Sequence, residues 1–308
     1  MLGTIGLAAS LLVGGCAREI EFERQTITIR HDPESDAVDV RLVYRGLFTR
    51  LPPSLTDDDA KRLEAAASTL ERLAKGSREF CVADGGTWVP LDEPTDRDAS
   101  QIDGATTDDP QRALRREITS FVRLVDHGAF VDDELRLCFV QRFEIRPWSQ
   151  FEQRTNEWIG RLAIAHDEEA RSSTNPHPEG CDPKGDSIRL AKAHAKTPWF
   201  AIRDNRLELD LAMSHEEYTD WVRLTLDAHI DIVAPGFVSL VSAVLTQSRS
   251  VVHDEGGLEL TVGDGTWPLR CDVRSRTNEY DHRLCESVRA RGIELRTEAD
   301  LADLLGDK

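Results

Sequence analysis

Close pairs of histidine and carboxylate are the residues of this chain best suited to chemistry. His166 is followed by Asp167, Glu168 and Glu169, His215 by Glu216, and His253 by Asp254 and Glu255, while Asp231 lies two residues after His229. An imidazole held by a carboxylate can serve as a general base, and the same groups can ligate a metal through nitrogen and oxygen. Either role needs a further partner, a nucleophile or a second ligand. A zinc helix of the H-E-x-x-H kind would need its second histidine at position 219, which is Thr219. Ser214 and Glu217 instead form a capping box around His215 and Glu216, so an acidic first turn simply complements the helix dipole. His166 to Glu169 fall at the polar end of a helix and read as a solvated face.

An acidic loop with Asp96, Asp98, Ser100, Asp103 and Asp109 offers several oxygens to a hard cation, but the EF-hand register fails. Gln101 stands where glycine makes the sharp turn, and Thr107 where a bidentate Glu is required. No G-x-S-x-G elbow, phosphate loop or dinucleotide fingerprint occurs. No catalytic residue, metal ligand or cofactor is therefore assigned. Trp88 and Trp267, in the similar segments GGTWVPLD and GDGTWPLRCD, are the candidates for an aromatic contact surface, although packing beside a tight turn is the commoner fate of such rings.

Apart from Cys16, the cysteines are Cys81, Cys138, Cys181, Cys271 and Cys285. None forms the close pair of a zinc knuckle or a redox dithiol. Cys81 and Cys138 lie in apolar, strand-like runs and are expected as buried thiols. Cys271 and Cys285 flank a polar segment and are expected to form a disulfide, closing a loop of about 15 residues.

The first residues, MLGTIGLAASLLVGGC, form an apolar run too short to span a bilayer as a helix. Val13, Gly14, Gly15 and Cys16 resemble the lipobox of bacterial lipoproteins, with an aliphatic residue three before the cysteine and small residues next to it. The resemblance implies removal of residues 1–15 as a signal peptide, a diacylglyceryl group on the Cys16 thiol, palmitate-type acylation and attachment to the cell envelope. Ala17 stands where an inner-membrane retention signal has Asp, which implies the outer membrane. The leader departs from secretory signals in having no Lys or Arg before its apolar core, as a start codon set too far downstream would leave it.

A net charge of −18, from 56 acidic against 38 basic residues, disfavours nucleic acid and anionic membrane surfaces as partners. Attachment to a membrane then depends on lipid at Cys16. The 40% hydrophobic content is enough for a folded body.

That body must position whatever the chain uses, and its pattern is hairpin followed by helix. EIEFERQTITIRHD and AVDVRLVYRGL alternate around the turn formers of HDPESD and read as an antiparallel hairpin. Thr56 and Asp59 cap a helix to about Lys75, with Leu63, Ala67, Leu70 and Leu73 as its apolar stripe. Hairpins are also expected over REFCVADGGTWVPLD, AFVDDELRLCFVQRFEIRP, PWFAIRDNRLELDLAM and LELTVGDGTWPLRC. Further helices are expected from Pro110, with a core face of Ile118, Phe121, Val122 and Val125 stopping at Gly128, and from about Ser149 to Glu169. Others follow Ser214, run through GFVSLVSAVL, and follow Thr297 with Asp300 as its cap.

This alternation predicts an α+β fold of antiparallel hairpins and amphipathic helices. The Pro- and Gly-rich segment 172–184 divides an N-terminal region, 16–171, from a C-terminal one, 185–308, or is a long loop within one domain. The function expected is that of a lipid-anchored envelope protein with a non-enzymatic binding or structural role. The alternatives are an exported hydrolase whose histidines and aspartates converge only in three dimensions, and a ligand binder using Trp88 or Trp267.

Overall fold

The computed structural model describes residues 20–80, 89–91, 110–172, 191–196, 198–203, 206–210, 248–252, 258–262, 266–270 and 281–305. Helices and a mixed but mostly antiparallel sheet make the fold α+β. The chain opens with the expected hairpin. Strand β1 (Glu21–Asp32) pairs antiparallel with β2 (Ala37–Phe48). Their turn is held by the Asp32 carboxylate, which accepts the amides of Glu34 and Ser35, and by Asp36 at φ 49°. Asp and Asn tolerate that left-handed conformation better than most residues, which is why a two-strand turn can close there.

Helix α1 (Asp57–Ala74) carries the capping box read from sequence. The Asp59 amide donates to the Thr56 hydroxyl and the Asp59 carboxylate accepts the Thr56 amide. Three of its four stripe residues, Ala67, Leu70 and Leu73, are fully buried, and Leu63 packs partly buried beside them. Gly76 ends the helix at φ 89°, a conformation a side chain would strain. A short ribbon of β3 (Glu79–Phe80) and β4 (Val89–Pro90) follows and is antiparallel as expected. Helix α2 (Pro110–Ser120) leads into β5 (Val122–Val131) and β6 (Leu137–Ile145), another expected hairpin, and then α3 (Trp148–Ser172).

Beyond α3 come β7 (Phe200–Arg203), β8 (Arg206–Asp210), β9 (Ser248–Val252), β10 (Leu258–Val262) and β11 (Thr266–Arg270). Helix α4 (Arg283–Ala290), strand β12 (Leu295–Thr297), a 3₁₀ turn (Ala299–Leu301) and α5 (Ala302–Leu305) complete the described chain. The main sheet has the order β11-β1-β2-β6-β5-β12, and a second sheet has the order β7-β8-β10-β9. Both edge strands of the main sheet thus come from beyond residue 184, while its four inner strands come from before residue 171. The reciprocal bonds between Thr297 and Asp300 form as expected at the terminal turn.

Two expectations are corrected, and one further helix forms that the sequence reading does not include. The helix from Pro110 stops at Ser120, not Gly128, because Val122 to Val131 gain a full ladder with β6 that a helix would forgo. The segment 258–270 supplies two strands but no hairpin: β10 pairs with β8 and β9, whereas β11 pairs with β1 from Arg24↔Arg270 to Thr28↔Thr266. Partners distant in sequence satisfy these two strands better than each other does. The polar run after Cys271 gives way to α4, whose Leu284, Cys285 and Val288 are buried.

The main sheet separates its side chains by parity, as a pleated strand must. Leu42, Tyr44, Phe139 and Ala129 join Phe22 in a core closed by α1 and α4. Their neighbours Val43, Cys138, Val140 and Phe130 point to the other face, where Leu301, Leu304 and Leu305 cover them. Trp148 of α3 and Ile202 of β7 pack on Val38 at the sheet's far end.

Candidate functional site

Strand β12 pairs with β5 only at Ala129 to Val131, so the stretch Val122–Gly128 is a strand edge among the described residues. A cleft of about 440 Å³ opens along it, lined by Gly76, Arg78, Ser120, Val122, Arg123, Leu124, Val125 and His127. That size falls within the usual range of small-ligand sites. Each lining group is placed by a local device. The register of β5 against β6 shifts between Leu124 and Asp126, and this bulge turns Val125 outward to 42% exposure. The amide of His127 donates to Asp126 Oδ1 at 2.8 Å, satisfying an edge donor from within the strand.

The imidazole of His127 lies 3.1 Å from the carbonyl oxygen of Ala74 at the end of α1. A carbonyl only accepts, so Nε2 carries the hydrogen of this bond. A Cβ at Gly76 would meet the same ring at 3.5 Å. Arg78 donates through Nη1 to the carbonyls of Val122 (2.6 Å) and Thr119 (3.4 Å), tying the end of α2 to the start of β5. Arg123 pairs with Glu144 across the strands at 2.7 Å. The Ser120 hydroxyl donates to the Glu117 carbonyl at 2.6 Å, the bond of a helix-end serine, not one aimed at a base. Cationic and imidazole groups over Val122 and Leu124 suit recognition of a polar ligand with an apolar part.

The residues singled out from sequence fall elsewhere. Cys16, Cys81, Trp88, the acidic loop 96–109, Cys181, His215 with Glu216, His229 with Asp231, His253 to Glu255 and Cys271 lie outside the described residues, as do the side chains of His166 to Glu169. Trp267 is described through its backbone alone, opposite Ile27 in the β1–β11 ladder. Cys285, expected to bridge Cys271, is a free and buried thiol on α4. Cys138 is a free and buried thiol in β6, as expected, and burial pushes its pKa up to about 12. Among the described residues no group of three or more His, Cys, Asp or Glu could hold a metal ion.

Sequence reasoning missed Arg78, Arg123 and His127 because the ladder that gathers them was read as the end of a helix. The only signal was the β-branched pair Val122 and Val125 within a run long enough to pair. Comparison with protein-family models, curated proteins and solved structures finds no match.

Proposed function

We propose that the protein is a bacterial cell-envelope lipoprotein, anchored through lipid on Cys16 in the outer membrane, whose body has a non-enzymatic binding or structural role. The observation that carries this reading is the run Val13-Gly14-Gly15-Cys16, placed four residues ahead of Ile20, the first buried core residue among the described residues. Removal of the leader at Cys16 would leave the body intact and a lipid at its threshold. Each buried acyl CH₂ contributes about 0.8 kcal/mol, and a stable hold needs more than one chain. No helix among the described residues is long and apolar enough to cross a membrane. The cleft beside β5 is where such a body would engage a ligand.

The test is acylation in a bacterial host. A clickable palmitate analogue should label the wild type, which should partition into the membrane fraction with its mature N-terminus at Cys16. Cys16→Ser should lose label, leader cleavage and membrane partition together. Equal labelling of wild type and variant overturns the reading.

A further inference from the structure

Resting on the Cys16 anchor just proposed, we infer that the body stands upright on the bilayer, on the rim of the main sheet that carries Leu55 and Leu135, with its strands directed away from the membrane. Cys16 is four residues from Ile20, so a fully extended tether reaches about 14 Å. Ile20 is completely buried and cannot lengthen it without unfolding the start of β1. β1 has 12 residues. Its far turn, Pro33 to Asp36, therefore lies roughly 37 Å beyond the tethered end at strand geometry. One rim of the sheet is held close to lipid, and the opposite rim is free to be remote.

The near rim is also where apolar surface is presented. Leu135 is 63% exposed and Leu55 45% exposed, two of three large hydrophobics so exposed among the described residues. Ion pairs of their chain neighbours bring both segments to the start of β1. Arg136, next to Leu135, pairs with Glu23 at 2.9 Å, and Arg50, in the segment leading to Leu55, pairs with Glu21 at 2.8 Å. Leu135 is fixed outward by a turn in which it adopts φ 61°, and the Asp132 carboxylate accepts the amides of Glu134 and Arg136 around it. A branched side chain in left-handed backbone is an uncommon arrangement, and here its result is to present an apolar tip beside the tether.

The same rim is acidic. The exposed Asp57, Asp58, Asp133 and Glu134 outnumber the cations Arg50, Lys61 and Arg136 beside them, of which Lys61 pairs with Asp58 and Arg136 with Glu134. With Leu55 and Leu135 seated on the lipid, well inside the reach of the tether, these carboxylates lie within the Debye length of about 8 Å at physiological salt and feel the surface charge. The partner is therefore a zwitterionic lipid surface, and anionic lipid should weaken the contact.

The experiment uses the full lipidated protein in vesicles of zwitterionic lipid containing brominated acyl chains. Leu55→Cys, Leu135→Cys and, at the opposite rim, the exposed Glu34→Cys each carry a bimane label, with the labelled wild type as background. Quenching at positions 55 and 135 should exceed that at 34 at least fivefold. Equal quenching at all three, with the protein still in the vesicle fraction, overturns the upright orientation and leaves the anchor standing. Absence from the vesicle fraction overturns the anchor and this orientation with it. Replacing a third of the lipid with an anionic one should reduce quenching at 135, and added salt should restore it. Stronger quenching on anionic vesicles would overturn the choice of partner.

Discussion

The two faces of the main sheet are built on different principles. One is sealed by α1 and α4 over Phe22, Tyr44, Leu137 and Phe139, each at most 1% exposed. Among the described residues, the other is packed dry where the terminal turn lays Leu301, Leu304 and Leu305 on Val43, Phe130, Cys138 and Val140. Further along that second face polar bonds replace packing. Arg41 donates to the Leu305 carbonyl at 2.8 Å, Arg142 pairs with Asp39, and Arg123 pairs with Glu144. Apolar burial contributes about 25 cal/mol per Å² irrespective of salt, whereas partly exposed ion pairs contribute about 1 kcal/mol or less and are screened. Most of the fold's stability should therefore reside on the first face, and the second should open first.

The largest effect should come from Phe139→Ala. The ring is wholly buried in the core beneath α1 and α4, and truncation of such a residue costs about 3–5 kcal/mol through lost transfer energy and the cavity left behind. Urea denaturation should show the midpoint falling with little change in slope. A cost no larger than that of the next variant would break the contrast between the faces.

Leu304→Ala should cost less, about 2 kcal/mol, because α5 is four residues long and can relax toward the space vacated. The two buried thiols report which face has opened. Cys138 lies on the second face under Leu304 and Cys285 on the first, and the thiolate needed for alkylation is suppressed by burial in both. In the native wild type neither should react with iodoacetamide over minutes. Leu304→Ala should expose Cys138 alone, as read by mass spectrometry, and simultaneous modification of Cys285 would show that the faces open as one unit.

The same division explains what was legible beforehand. The hairpins β1–β2, β5–β6 and β7–β8 were readable because each joins alternating residues across a short turn, so local chemistry and final pairing agree. The α1 cap was equally local. GGTWVPLD and GDGTWPLRCD look alike, yet the first contributes β4 to a local ribbon while the second contributes β11 to the outer edge of β1. Nothing within either segment records that difference, since it depends on which distant edge lacks a partner. The cleft was illegible for the same reason: Arg78, Arg123 and His127 meet only after β5 pairs with β6 and α1 ends at Gly76.

Arg142→Leu should cost about 0.5–1 kcal/mol, since the guanidinium is 42% exposed and its partner Asp39 23%. Sodium chloride at 1 M should remove most of the difference from wild type, because the Debye length then falls to about 3 Å. A loss that persists in high salt would show that the second face is held by packing at this point too.

The smallest effect expected lies beside the sealed face, where Arg283 at the start of α4 ties down the chain ahead of α1. It donates to the carbonyls of Leu51 and Pro52 and to the Asp281 carboxylate. Burial pushes the Asp281 carboxyl up, but the bonds and charge of Arg283 outweigh it and hold the group below its ordinary value. A carboxylate depressed in the folded state contributes stability that is present above its unfolded pKa of about 3.9 and is lost as the pH falls through the folded value. Asp281→Asn should therefore be less stable than wild type at pH 7, by less than about 1 kcal/mol given solvent screening. The gap should hold down to about pH 4 and close below it, as followed by thermal denaturation at each pH. Asp59 is also held low, chiefly by the Thr56 hydroxyl and amide, and it is present in both proteins, so its titration cancels in the comparison. A gap that widens toward low pH would reverse the sign of the Asp281 shift and detach Arg283 from its role as the clasp of this face.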